Sequence, residues 1–522
     1  MGTLAWVLLS FCLFYCVQKY LEFRAVVRSI HDHPGFRTLL PPYGIFGFLF
    51  KRPIPGITRG GMSQWRGKYR DFEAFGMDII SATSVVPTAR NAFLVADPAA
   101  IKEITSSRTR FPKPVAQYRV LTFFGANIVT AEGDEWKRFR KITAPAFSER
   151  NNRLVWDETV KIMLDLFENE WAGKDTVVVD HAVEVTLPIA LFVIGVAGFG
   201  RRMTWQEDSK LPPGHQLSFK EALHYVSSAV FVKLATPAWL LKWAPTERMR
   251  RTNLAFKELE QYMLEMIQAR RSSEKKEERY DLFSNLLDAS EDESDGQARL
   301  ADEELLGNIF IFLLAGHETT AHTLAFTFGL LALYPEQQDK LYKHIKHVIP
   351  DGRIPAYEEM NSLHESIAVF YETLRLFPPV TGIPKVAAED TTLVTTDHGG
   401  NKVVVPVTKG TGISLHVPGL HYNPRYWDDP YEFKPERFHG DWPRDAFLPF
   451  SSGARSCLGR RFFETEGIAI LTMLVSRYKI EVKEEPEFAG ETFEQRKERI
   501  LAARGGLTLT PVRTPLVFKR RQ

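Results

Sequence analysis

Starting at Asp302 and stopping before Pro335, the 522-residue chain carries a long apolar pattern with helical spacing. Its roughly 32 residues would make a helix about 48 Å long. Asp302 is placed to cap the start, Glu303 and Glu304 suit the positive end of the helix dipole, and Pro335 prevents continuation. Apolar residues fall on nearly every face, so such a helix must be surrounded by protein and cross the middle of a large globule. A membrane span is the alternative, but it would put His317, Glu318 and His322 of "AGHETTAHT" at the centre of a bilayer, where ionisable groups are costly. Helical spacing recurs at residues 135–140, 155–171, 253–271 and 280–289, while short β-branched or strand-like runs occur at 91–97, 391–396, 402–407 and 506–510. The pattern predicts a mainly α fold with a smaller β region.

An apolar content of 44% and a charged content of 25% suit a large core. Lys+Arg 66 against Asp+Glu 64 leaves no basic field, and nucleic acid is not an expected partner. Residues 3–21, "TLAWVLLSFCLFYCVQKYL", form an apolar segment with no basic residue before it, whereas Lys19, Arg24 and Arg28 lie at or beyond its end. That charge order opposes a cleaved signal peptide and predicts a single-pass anchor with the remaining mass on the cytosolic side. Residues 22–60 read as a Pro/Gly-rich linker in which 45–50 touch lipid, and residues 61–522 read as one catalytic domain. The charged stretches 270–280 and 290–297 read as solvated turns.

Cys12 and Cys16 fall inside the apolar N-terminal segment, so Cys457 has no soluble cysteine with which to form a disulfide or a multi-cysteine zinc site. A lone cysteine is ordinarily a small buried apolar residue. The stretch "PFSSGARSCLGR", however, fits Phe-x-x-Gly-x-Arg-x-Cys-x-Gly through Phe450, Gly453, Arg455, Cys457 and Gly459. It resembles the haem-binding loop of the cytochrome P-450 superfamily. The residue types suit a haem-thiolate site: an amphipathic helix following Cys457 would favour the thiolate, the two glycines permit a tight turn, Phe450 can cover the ring, and Arg455 suits a propionate.

The resemblance implies the family fold, a single large catalytic domain behind the anchor, and it extends to three further motifs. Glu-x-x-Arg occurs as Glu135/Arg138, Glu247/Arg250 and Glu372/Arg375, but only Glu372 and Arg375 precede "PERF", whose Arg437 would complete the family's buried ion network. "WKRFR" resembles the helix in which Trp136 and Arg140, four residues apart and on one face, hold a propionate. Lys385 occupies the place of a residue directed at the other propionate. "AGHETT" resembles the family's oxygen-activating segment, in which Gly316 leaves room for O₂, Thr319 bends its hydroxyl toward the helix backbone and Glu318 links the site to outside protons. His317 is then a hydrogen-bonded spacer.

The implied cofactor is haem b, and the implied activity is insertion of one oxygen atom from O₂ into an organic substrate. Without a Gly-x-Gly-x-x-Gly fingerprint, electrons would come from NADPH through a separate reductase, with Lys137, Arg138, Lys141, Arg460 and Arg461 as a basic docking patch. The anchor then places the protein in the endoplasmic reticulum membrane. Residues 112–130, 223–241 and 506–509, with "PVTGIP" and the long helix, lean toward Phe, Val, Leu and Ala, which predicts an apolar substrate. The general look resembles fungal microsomal members and points to a terpenoid-like molecule of secondary metabolism. The other classes are a relative that rearranges peroxides, which would tend to lose the Glu318–Thr319 pair, and a non-enzymatic haem carrier or sensor, which would not need it.

Overall fold

In the computed structural model, which describes residues 2–41, 50, 52–205, 211–272, 281–291 and 300–522, the first element is a helix over Gly2–Ser29. Its apolar side chains face outward, Trp6 at 70% and Phe14 at 68% exposure, and Leu4–Ser29 is long and apolar enough to cross a membrane. Among the described side chains of the helix, only Val27 near its end is buried, followed beyond it by Ile30. The expected anchor, residues 3–21, is the first part of this longer helix.

The chain gathers into two compact units. The first holds residues 1–114, 380–432 and 442–457. Its five-stranded mixed sheet has the spatial order Gly35–Thr38, Ile79–Ser84, Arg90–Val95, Gly412–His416, Gly382–Val386. Part of the expected linker is therefore sheet, since Gly35–Thr38 runs parallel to Ile79–Ser84 from Gly35↔Ser81 to Thr38↔Ser84. Of the lipid-contacting run expected at 45–50, all but Phe50 lies outside the described residues, as do most of the turns expected at 270–280 and 290–297. The strand expected at 91–97 stops at Val95, because Asp97 caps the next helix, Pro98–Ser106, by accepting from the Ala100 N–H at 2.9 Å. Thr391–Thr396 and Lys402–Val407 pair antiparallel with the expected bounds.

The second unit holds residues 115–379, 433–441 and 458–522, and the long helix, Asp302–Leu333, is its core. Leu305, Ile309, Leu313, Ala321, Phe326 and Leu330 are buried on different faces of this central helix. Its cap differs from the expected one: Ala301 occupies the N-cap, and Glu304 reaches back to accept from the Ala301 N–H at 2.9 Å, so Asp302 is the first helical residue. Pro335 opens the following helix, Pro335–Val348. The helices expected from 155 and 253 begin earlier, at Glu149 and Glu247, where Ser148 and Thr246 accept from the Asn151 and Met249 N–H groups, each at 3.3 Å. The helix after the cysteine, Arg460–Arg477, is not amphipathic: every residue from Phe462 to Val475 is buried. The strand expected at 506–510 is a turn and its return, with Ala503–Gly505 pairing Leu509–Pro511.

Candidate functional site

Within the first unit, the cysteine loop is folded by its own backbone. The Cys457 N–H donates to the Phe450 carbonyl at 2.9 Å, and the Ser456 N–H donates to the Gly453 carbonyl at 3.1 Å. Gly453 has φ +67, and a Cβ there would stand 2.4 Å from the Thr105 carbonyl oxygen, so both conformation and space require glycine. Gly459 does not share that reason: its φ is −81 and a Cβ would make only ordinary contact with Phe147, so its part is to precede the helix that starts at Arg460. Phe450 is buried, Arg455 half-buried, and the Cys457 thiol reaches solvent. Lys385 is 4% exposed on the strand Gly382–Val386.

In the second unit, threonines repeatedly turn back on the central helix. Thr319 Oγ1 donates to the Ala315 carbonyl at 2.8 Å, Thr320 Oγ1 to Gly316 at 2.9 Å, Thr323 to Thr319 and Thr327 to Thr323 at 2.8 Å each. Such bonds compete with the helical ladder and loosen it locally. Gly316 has a packing reason: a Cβ would come within 3.0 Å of Ile194, so the residue admits a neighbouring chain segment, and Ala315, exposed amid buried neighbours, carries the open face. Glu318 is 8% exposed, its Oε2 has no hydrogen-bond partner among the described residues, and burial pushes its carboxyl up to about 7. His317 donates from Nδ1 to the Leu313 carbonyl at 3.0 Å and burial pushes it down to about 4, which keeps it neutral, as expected of a spacer.

Sequence reasoning missed Glu466. It is fully buried on the helix Arg460–Arg477, receives the Thr320 hydroxyl at 3.3 Å, leaves Oε1 without a partner among the described residues, and is held well above the usual carboxylate range by burial. The signal is an acid in the apolar run "EGIAILTMLV", hidden by reading that helix as amphipathic.

Trp136 is buried on the helix Gly133–Thr143, with the Arg140 guanidinium 5.7 Å over its ring; no carboxylate pairs with half-buried Arg140 among the described residues. The ion network forms as expected: Glu372 accepts from Arg375 at 2.6 and 2.8 Å, from Arg437 at 3.3 Å and from the Lys434 N–H at 3.0 Å, with Glu372 and Arg375 fully buried. At the other two Glu-x-x-Arg spacings the structure shows other ion pairs: Arg138 binds Glu304, and Glu247 pairs with Arg251 at 3.1 Å. The expected docking patch is correspondingly reduced, because Arg138 is bound to Glu304, Lys137 to Asp134 at 2.6 Å and Arg460 to Glu464 at 2.8 Å.

In the first unit an accessible thiol with a buried aromatic in the same loop fits the iron and ring of haem by its donor chemistry, and in the second unit the Arg140 guanidinium, which pairs with no carboxylate among the described residues, suits a propionate. The description "Cytochrome P450" fits residues 80–501, most of the chain. The protein belongs to the cytochrome P450 family. This P450 is 60% identical over 505 residues to cytochrome P450 monooxygenase 124 of Postia placenta, covering 97% of each chain. It is 29% identical to cytochrome P450 monooxygenase ORF6 of Penicillium roqueforti over 80% of this chain and 78% of the relative. Half of it, 265 residues, is 36% identical to 55% of cyclooctat-9-en-7-ol 5-monooxygenase of Streptomyces melanosporofaciens. The crystal structure of the cytochrome P450DA haem domain shares its fold, with a TM-score of 0.74 at 23% identity over 94% of this chain and 99% of that one. The P450 is a haem-thiolate monooxygenase that uses O₂ and a small-molecule substrate.

Proposed function

We propose that this P450 hydroxylates an apolar, terpenoid-like molecule of fungal secondary metabolism with NADPH-derived electrons from a separate reductase. Residues 3–21 hold it in the endoplasmic reticulum membrane, and residues 61–522 form the cytosolic catalytic part. Cys457, Phe450, Gly453, Gly459, Arg455, Trp136, Arg140 and Lys385 would hold the haem, Cys457 as iron ligand. When bound, haem supplies the redox chemistry that splits O₂ and places one oxygen atom on carbon.

The chain's own part is proton delivery. Glu318, poised at about 7, can hold or release a proton near neutrality. Thr319, one residue on, has its hydroxyl proton engaged by the Ala315 carbonyl at 2.8 Å, which leaves the oxygen as an acceptor and fixes its place beside the exposed Ala315. This acid–threonine pair on an otherwise apolar helix is the observation that carries the oxygen-activating reading over peroxide rearrangement. Support for an apolar substrate comes from Phe124, in an expected lining segment, whose ring lies 5.7 Å from that of Phe256 and 4.8 Å from that of Phe310 on the central helix. Membranes containing the P450 and a reductase, supplied with NADPH, ¹⁸O₂ and a mixed terpenoid extract, should yield products carrying one labelled oxygen; turnover confined to polar solutes would refute the substrate class. Thr319→Ala should keep NADPH consumption while product falls about tenfold or more.

A further inference from the structure

Just ahead of the helix Phe219–Ala235, His215 is buried against the helix Glu247–Arg271. Its ring lies flat on that of Tyr262, the centroids 3.7 Å apart and the planes 3° from parallel. Nδ1 stands 2.8 Å from Glu258 Oε2, and Nε2 stands 3.0 Å from Glu265 Oε2. Tyr262 follows Glu258 by four residues and Glu265 follows Tyr262 by three, so one helix face supplies the stacking ring and both carboxylates. An ionised carboxylate only accepts hydrogen bonds, so an imidazole held by carboxylates at both nitrogens carries two protons and a positive charge. The residues that follow are tied to the same helix. The Gln216 N–H donates to Glu258 Oε2 at 3.2 Å, and the Tyr262 hydroxyl donates to the Leu217 carbonyl at 2.9 Å. Ser218 and Glu221 then close a capping box at the start of Phe219–Ala235.

Arg201 adds a second positive charge to this cluster, its guanidinium 4.9 Å over the Phe219 ring and 5.4 Å over that of Tyr262. Glu221 is engaged in the cap, where it accepts from the Ser218 N–H at 2.9 Å. Burial opposes the charge on His215, but Glu258 and Glu265 outweigh it, so the ring titrates above its ordinary 6.5. The two acids differ in their access to water: the Glu258 side chain is 6% exposed and that of Glu265 48%. A neutral ring keeps one N–H for one carboxylate and turns a lone pair toward the other. Glu265 can then swing into solvent. Glu258 has lost the cation that compensated its buried charge, and it gains water only if the segment carrying His215 moves away.

We infer that His215 is a pH-sensitive latch: doubly protonated, it holds the start of the helix Phe219–Ala235 on the helix Glu247–Arg271, and as pH rises it lets that start go. The charged form is the one the fold favours, so the latch is closed in acid and opens on the alkaline side. Residues 223–235 of the released helix belong to the stretch expected to line the substrate site, so the latch sets the mobility of one wall of that proposed site. Pulsed hydrogen exchange of the haem-loaded P450 at pH 6 and pH 9, corrected for the pH dependence of free-amide exchange, reads the latch in peptides spanning 214–224. The native chain should lose protection there about tenfold or more between the two pH values, the scale of one charge-assisted contact. His215→Gln, uncharged at both, should be about as unprotected at pH 6 as the native chain is at pH 9 and show no such step. Glu265→Gln, at a half-exposed position, offers the neutral ring a donor in place of a carboxylate and should shrink the step several-fold. Equal native protection at the two pH values, or a step of full size in either variant, overturns the latch.

Discussion

Replacing Glu318 by Gln keeps the side chain's shape and removes its titration. In the fold the carboxyl titrates at about 7 instead of 4.5, because burial disfavours its charge. The sign is the reverse of a salt-bridged acid: the unfolded chain gives up this proton first, so stability falls as pH rises from about 4.5 to about 7 and is flat outside that window. At about 1.4 kcal/mol per pH unit the whole displacement is about 3 kcal/mol, of which about 2 kcal/mol develops between pH 5.5 and pH 8. Glu318→Gln escapes that loss. Urea unfolding of both proteins at these two pH values, followed by tryptophan fluorescence, should show the variant gaining about 2 kcal/mol on the native chain at the higher pH. Product formed per NADPH should fall about a hundredfold, since the amide cannot relay a proton. A stability difference that does not change with pH would refute the assignment of Glu318 as a buried, uncompensated acid.

Gly453→Ala forces a Cβ to within 2.4 Å of the Thr105 carbonyl at a positive φ, so the loop must shift; haem content after purification should drop several-fold, and normal haem content would contradict the packing argument. Arg375→Ala leaves Glu372 buried without its main cation and should cost about 3–5 kcal/mol in urea unfolding, with most of the protein recovered insoluble.

The parts of the fold legible in the sequence are those where one physical signal acts alone. The central helix announces itself by length and by Pro335, and the strands Thr391–Thr396 and Lys402–Val407 by β-branched residues between turns. Helix starts escape notice where a serine or threonine outside the apolar pattern, Ser148 or Thr246, sets the first turn. The run 506–510 misleads because β-branched residues also populate the turn that carries Thr508 to His322, a contact between residues far apart in the chain. The proposal for Cys457, Arg455 and Phe450 comes from fixed local spacing, and the same kind of spacing announces the Glu372–Arg375 pair that the structure forms. Glu466 is not, because its meaning depends on Thr320 of another helix, and neither is the packing role of Gly316, which depends on Ile194.

The proposed function requires Cys457 to be the thiolate that binds haem iron. The direct measurement is the carbon monoxide difference spectrum of the reduced protein, recorded for the native chain and for Cys457→Ser. The native P450 should show the long-wavelength Soret band of thiolate-ligated haem, and the variant should lose it. A native spectrum without that band, or a variant that retains it, would contradict the account.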